Sequence, residues 1–315
     1  MQLWTDEIEG LRAEARAAVE SGLDLLPLTR PVDESGMTRE ERIAHVRGRH
    51  QPYYTVDDAI ERTIAGVRCR VFVPEGTPRA IYLHFHGGGM VAGAPDMMDI
   101  PNRHVARTHR VVVVSADYRK APEHPWPAGP DDGVAVAAWL LEHGADEFGA
   151  SRMLIGGESA GGYMTAITAL RIRDELGAID RVDGLNLVFG VYDWGRSPSQ
   201  RGQRPHDGPD ILTVEGIEFF TECFVPGRTD DERRAPEISP AYADLRGLPP
   251  CLVSVGTCDH LLDDSLLFAT RAAAAGVDVE LFVAPDMPHA FLAFDCGITK
   301  RWAALTAEWF EARLA

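Results

Sequence analysis

With 315 residues and a hydrophobic content of 45%, the chain is long enough to bury one large α/β core or two small ones. Its formal net charge of −17 argues against a phosphate-backbone partner, which needs clustered Lys and Arg, so neither nucleic acid nor stable association with an anionic membrane is expected. The five cysteines (Cys69, Cys223, Cys251, Cys258, Cys296) are odd in number and lack paired spacing, which reads as small buried hydrophobes and not as disulfides or metal ligands.

The opening Met1-Gln2-Leu3-Trp4 carries no basic stretch followed by an apolar run, and the apolar run at 134–141 is too short to span a bilayer, so a soluble cytoplasmic protein is expected. Ile8, Leu11, Ala15 and Val19 recur at helical spacing over 6–20. Thr38-Arg39-Glu40-Glu41 is a capping-box pattern ahead of Ile43 and Val46, which predicts a second helix, with Pro27, Pro31, Ser35 and Gly36 marking a flexible connection. After Tyr54, β-rich runs at 59–64 and 67–73 flank a turn at Ala65-Gly66 and predict an antiparallel hairpin at a sheet edge. From Arg79 onward, apolar runs at 80–85, 110–116, 152–155, 184–189, 251–255 and 277–283 alternate with helical patterns at 134–141, 160–173, 261–275 and 299–314.

Strands separated by helices need parallel crossovers, and strands apolar throughout need cover on both faces. The expected fold class is therefore α/β, a three-layer sandwich with a mostly parallel central sheet and helices on both faces. The N-terminal helices and residues 191–240, which carry one helical patch at 214–224, fall outside the repeat. They are expected to lie over the C-terminal edge of the sheet, giving a helical cap segment at 1–54 and a catalytic domain at 55–315 that includes an inserted cap or loop region at 191–240.

Gly157-Glu158-Ser159-Ala160-Gly161 follows the end of one apolar run and precedes a helical pattern, a G-x-S-x-G sequence in a strand-turn-helix setting. So sharp a turn strains the serine backbone and leaves no space for neighbouring side chains, so glycines flank it and the hydroxyl stands clear of the sheet. Among 30 glycines such a pentapeptide can arise by chance; the setting is what marks Ser159 as the candidate nucleophile. His86-Gly87-Gly88-Gly89 follows the apolar run ending at Phe85. Without Cβ atoms this loop can approach a substrate, so Gly87 and Gly88, with the N–H of Ala160, are the candidate oxyanion donors. His84 and His86 are spaced as in some metal sites, but no cysteine or carboxylate completes a ligand set nearby and no metal is expected. His86 is expected to brace the glycine loop.

A serine hydroxyl needs a base to remove its proton, and the base needs a buried acceptor to set its tautomer. Asp259 follows the run at 251–255 and His289 follows the run at 277–283, so both fall at strand C-termini on the rim that carries Ser159. Asp263 and Asp264 start the next helix, where a solvated or capping role is expected. Asp286, close ahead of His289, remains the serious rival to Asp259 as the acid. His260 reads as a neighbour of that acid.

These motifs, together with Asp117-Tyr118-Arg119-Lys120-Ala121-Pro122-Glu123-His124-Pro125-Trp126-Pro127-Ala128, Gly162 after the serine pentapeptide, Asp259-His260-Leu261 and His289-Ala290-Phe291, resemble the hormone-sensitive-lipase family of esterases, also called bacterial lipolytic family IV. The resemblance runs from about residue 79 to the C-terminus. It implies an α/β-hydrolase fold with an N-terminal helical cap, the order serine, acid, histidine along the chain, and hydrolysis of short- to medium-chain carboxylic esters without metal or cofactor. The Tyr118 to Pro125 stretch is structural in that family. Three positions depart from its pattern: Glu158 stands for the usual Asp, Lys120 for Leu, and Ala290 for the Gly that commonly follows the histidine. Gly89, Glu158, Trp194 and Phe220 are the candidate substrate contacts, the partner is a small-molecule ester, and a homodimer stays open because related enzymes are often dimers.

The same apparatus serves lactone, carbamate and aryl-formamide hydrolysis, and the fold also carries non-catalytic ligand receptors. An interfacial lipase would need an apolar lid, whereas the N-terminal helices carry Arg12, Glu14, Arg16, Arg39, Glu40 and Arg42.

Overall fold

Three runs, Ala80–Phe85, Val111–Ala116 and Cys251–Gly256, are buried at every position, and a strand with no solvated face has to be covered on both sides. They form the centre of the computed structural model, which describes residues 4–23, 36–51 and 54–315. In chain order the elements are α1 (Asp6–Gly10), α2 (Arg12–Gly22), α3 (Arg39–Arg49), β1 (Ile60–Ile64), β2 (Val67–Phe72), β3 (Ala80–Phe85), α4 (Asp99–His109) and β4 (Val111–Ala116). There follow α5 (Ala128–Phe148), β5 (Met153–Glu158), α6 (Ala160–Arg171), β6 (Val182–Val188), α7 (Val214–Phe224) and α8 (Asp230–Arg233). The chain closes with β7 (Cys251–Gly256), α9 (Leu262–Ala274), β8 (Val279–Ala284) and α10 (Gly297–Leu314).

The eight strands among the described residues form one sheet in the order β1-β2-β4-β3-β5-β6-β7-β8. The hairpin β1–β2 is antiparallel, β2 joins β4 antiparallel, and every later pair is parallel. Alternate residues of each strand face opposite layers. Ile81, Leu83, Phe85, Ile155 and Leu187 pack with Val136 and Leu140 of α5, Met164 of α6 and Phe268 of α9. Tyr82, Val113, Leu154 and Leu252 pack on the other face with Ala106 of α4 and Trp309 and Phe310 of α10. The expected α/β sandwich, with its edge hairpin and parallel centre, is the architecture found.

The differences from expectation have physical causes. Helical spacing marked nothing between β3 and β4, yet α4 lies there. Its buried positions are Asp99, Asn102, Ala106 and His109, so its inward stripe is largely polar and hydrophobic periodicity does not register it. Asp99 is fully buried on the Arg70 guanidinium, with Nε to Oδ1 at 2.7 Å. α5 runs from Ala128 where the pattern began at Val134, because Gly129 and Pro130 read as breakers; Pro is tolerated in a first turn, whose N–H groups have no helical acceptor. The expected first helix is split at Leu11 into α1 and α2, and α6 ends at Arg171 in a π-turn over Ile172–Leu176. Pro27, Pro31 and Ser35 of the expected connection, and the opening Met1-Gln2-Leu3, lie outside the described residues. The capping box at Thr38 and Glu41 forms, with both reciprocal bonds present. All five cysteines are buried and unpaired, and no helix among the described residues is long and apolar enough to cross a membrane.

α2 is fastened to the far end of the chain. Its Ala15 and Val19 are buried with Val255, Phe282 and Phe291. Arg12 donates from Nε and Nη2 to the two oxygens of Asp286 at 2.8 and 2.9 Å, and Arg16 Nε adds a bond of 2.7 Å. Hydrogen bonding to Arg12 holds the Asp286 carboxyl down at about 2. A carboxyl depressed in the folded state stabilises it above the unfolded value near 4, and that contribution is lost as pH falls through the folded one. Asp286→Asn is therefore expected to lower the unfolding free energy by about 2 kcal/mol at pH 7. The gap between variant and wild type should narrow steadily below pH 4, as read by urea denaturation across that range.

Candidate active site

β5 turns directly into α6, and Ser159 sits at the junction with φ 57° and ψ −116°, a conformation that costs a non-glycine residue about 1–3 kcal/mol. A Cβ on Gly157 would stand 2.2 Å from the Phe85 carbonyl oxygen, and one on Gly161 would stand 1.9 Å from the same atom. The two flanking glycines of the pentapeptide are thus dictated by the backbone of β3, which passes against the turn. Ala160 is the first residue of α6, so its N–H has no acceptor within the helix.

Ser159 Oγ lies 3.0 Å from His289 Nε2, and His289 Nδ1 lies 2.8 Å from Asp259 Oδ2. A carboxylate only accepts, so the proton sits on Nδ1 and Nε2 is left to accept from the serine hydroxyl. Asp259 is fully buried, and its other oxygen accepts the Leu261 N–H at 2.8 Å. The loops after β7 and β8 bring the acid and the imidazole to the rim where β5 ends. Phe189, at the end of β6, meets the imidazole edge to face at 5.0 Å. Ala290 has φ 56° and ψ 34°, the left-handed region where glycine is at ease. This chain accepts the strain of an alanine there.

The rival acids are engaged elsewhere. Asp286 is held by Arg12 and Arg16, and its backbone N–H donates to Thr257 Oγ1. Asp263 Oδ2 accepts the Ser199 N–H at 2.8 Å. Asp264 corrects the expectation of a solvated or capping role: it is fully buried and accepts from Tyr192 N, Asp193 N, Ser197 Oγ and Gln200 Nε2. Burial, reinforced by the neighbouring Asp193 charge, pushes its carboxyl up to about 8 against the pull of those donors. His260 has its ring nitrogens against two acceptor oxygens, Ser199 O at 2.7 Å and Asp210 Oδ1 at 3.1 Å, and Ser159 is not among its partners.

The glycine loop lies beside the serine: a Cβ on Gly87 would be 3.1 Å from Glu158 O and 3.5 Å from Ser159 Cβ. Gly88 has φ 125° with Ala92 O in the way of any side chain, and Gly89 lies under the Phe220 ring, 2.5 Å from a Cβ position to Cγ. His86 stacks on Tyr118 at 4.4 Å, its Nδ1 is 2.7 Å from Gly87 O, and Tyr118 donates to His86 O at 2.7 Å. Burial holds His86 well below the usual histidine range. Glu123 accepts from both terminal nitrogens of Arg47, tying α3 to this stretch, and Arg119 pairs with Asp132.

Ser159 and His289 open onto a cavity of about 1370 Å³, larger than the ~300–1,000 Å³ of an ordinary small-molecule pocket. Its lining includes Val46 of α3 and His50 just after that helix, Leu212, Ile217 and Phe220 from around α7, and Trp194. Trp194 is buried against Phe224 at 4.7 Å and Tyr163 at 5.4 Å, so it forms wall and not a mobile gate. Glu158 faces the cavity and meets His84 Nε2 through Oε2 at 3.1 Å. Sequence patterns did not single out Phe189 or the α3 residues, since lining a cavity leaves no periodic or motif signal; the positive φ of Phe189, at 36°, becomes visible only in the fold.

A family profile described as the alpha/beta hydrolase fold matches residues 82–293. Carboxylesterase NlhH of Mycobacterium tuberculosis is 38% identical over 226 residues, covering 68% of this chain and 67% of that protein. Esterase LipI of the same organism is 33% identical over 286 residues, covering 86% of each. The crystal structure of a hormone-sensitive lipase from a metagenome library aligns with a TM-score of 0.75 at 29% identity, over 98% of this chain and 99% of that one. With the sheet order and the strand-turn-helix serine in place, these likenesses assign the family: the chain belongs to the α/β-hydrolase fold family and, within it, to the hormone-sensitive-lipase-like carboxylic ester hydrolases.

Proposed function

We propose that the chain cleaves short- to medium-chain carboxylic esters of small molecules by two acyl transfers through Ser159. One observation carries the reading: a continuous hydrogen-bond relay from buried Asp259 through His289 to Ser159 Oγ, beside a cavity that can hold a substrate. His289 Nε2 takes the serine proton as Oγ attacks the carbonyl carbon, and the imidazolium that forms is stabilised by Asp259. The same imidazolium protonates the leaving alcohol, and the neutral ring then activates a water that releases the acid. The amides of Gly87, Gly88 and Ala160 are the donors to the oxyanion in both tetrahedral states, each worth about 3 kcal/mol at the barrier. Gly89, Glu158, Trp194 and Phe220 contact the substrate, and residues 1–54 with the insertion at 191–240 form the cap over the catalytic domain at 55–315. Support for the cap comes from α3 and α7, which line the same cavity as Ser159.

Ser159→Ala is expected to reduce p-nitrophenyl butyrate hydrolysis by at least about 10⁴-fold with an unchanged melting temperature. Wild-type turnover by the purified variant would end the assignment. Asp259→Asn should lower kcat by roughly 10³–10⁴-fold, because an amide can present its N–H to Nδ1 and fix the wrong tautomer. Asp286→Asn should keep kcat within about threefold, since its carboxylate serves Arg12 and Arg16; the two variants assayed side by side at pH 7 discriminate the acids.

A further inference from the structure

The lining of the cavity also includes residues of α4 and α10, and the compartment they border has a polar floor. Strand register places His84 of β3 beside Ser115 of β4 and beside Gly156 of β5, and Gly156 beside Asn186 of β6, so one row across four strands turns polar atoms toward α4 and α10. Ser115 Oγ and Asn102 Nδ2 stand 2.8 and 3.2 Å from His84 Nδ1, which leaves Nε2–H to donate to Glu158. Among the described residues His84 is the sole hydrogen-bonding or ionic partner of the Glu158 carboxylate, and that carboxylate faces the cavity. Asn186 uses its amide nitrogen on Tyr82, at 3.5 Å, while its Oδ1 has no protein partner. Thr306 Oγ1 of α10 has none either. Both residues line the cavity and are more than nine-tenths buried, at 5% and 8% exposure.

We propose that this compartment binds the alcohol portion of the ester and selects alcohols that carry hydroxyl groups. The inference rests on Ser159 as nucleophile and goes beyond it by naming the substrate class. The groups that lack partners are Asn186 Oδ1 and the Thr306 hydroxyl, and beside them the Glu158 carboxylate, bonded to His84, keeps lone pairs to spare. They call for a ligand with hydrogen-bond donors, an alkyl alcohol would leave them unpaired, and an anionic group would be repelled by Glu158. Ala290 and Leu292, one and three positions after His289, line the same cavity, and His289 is the group from which the leaving alcohol receives its proton. Met97, Pro101 and Trp302 give it apolar walls, which suit the carbon skeleton of a polyol.

The test compares glyceryl monobutyrate with propyl butyrate, whose alcohols share three carbons and differ in two hydroxyls. Wild-type enzyme is expected to favour the glyceryl ester in kcat/KM by about tenfold or more, because a site built to bond a hydroxyl rejects the analogue lacking it. Asn186→Leu should bring that ratio toward one, and the isosteric Thr306→Val should lower it in the same direction. Each ratio is internal to one variant, so altered folding yield does not enter. The same preference is to be measured as the ratio of dissociation constants on Ser159→Ala by calorimetry, which needs no turnover. A failure of the nucleophile assignment would therefore show as residual activity of Ser159→Ala with the binding preference intact. A wild-type preference near one in both measurements, or a ratio that neither Asn186→Leu nor Thr306→Val alters, overturns the proposal.

Discussion

The end of β3 and the start of α6 share a space that admits no side chain. The Phe85 carbonyl oxygen lies within 2.2 Å of where a Cβ on either Gly157 or Gly161 would be, far inside any van der Waals contact. Phe85 is also the register partner of Gly157, so β3 and β5 reach the rim at the same level and release the glycine loop and the serine turn side by side. The next two strands obey the same geometry: Gly256 of β7 pairs with Ala284 of β8, and the loops beyond them carry Asp259 and His289. Three side chains separated by up to 130 positions meet because parallel strands end on one edge, where α/β folds hold their ligands. A methyl group at either glycine would push the turn off β3 and break the alignment on which the relay depends.

What could be read from the sequence follows from this geometry. The strands announced themselves because both faces are apolar, as in Val111–Val114, and the serine turn because its steric demand selects glycine at fixed positions. The rim location of Asp259 and His289 was readable from their places after strands, since it depends on strand order more than on loop detail. α4 was not readable. Its inward residues Asp99 and Asn102 satisfy Arg70 and His84, so it is buried by polar pairing and offers no hydrophobic stripe. Asp264 misled for the same reason: a carboxylate in the first turn of a helix reads as a cap, and only the fold reveals that the segment at 192–200 has wrapped its donors around it. Local pattern registers apolar burial well and polar burial poorly.

The layers beneath and beside the serine therefore differ in kind. Toward α5, α6 and α9 the sheet packs through Leu83, Phe85, Ile155 and Met164, a dry interior that holds the turn rigid. Toward α4 and α10 the same strands present His84, Ser115 and Asn186, and the packing is looser, with room beside them. The turn that carries the Ser159 hydroxyl is thus packed firmly on one side and bordered by the cavity on the other.

Polar burial also couples the cavity wall to the relay. Asp259 immediately precedes the turn into α9, and Asp264 lies in the first turn of that helix. Through Asp264 the helix holds the backbone N–H groups of Tyr192 and Asp193, and the next residue, Trp194, forms part of the wall near Ser159. Desolvating Asp264 is costly, and at least four donors converge on it to offset that cost. The acid that orients the imidazole and the indole that shapes the pocket are thus hung from one helix end. The bond from Asp259 to the imidazole and the bonds from Asp264 to Tyr192 and Asp193 thus leave the chain only a few residues apart, so the pocket wall and the acid share one anchoring segment.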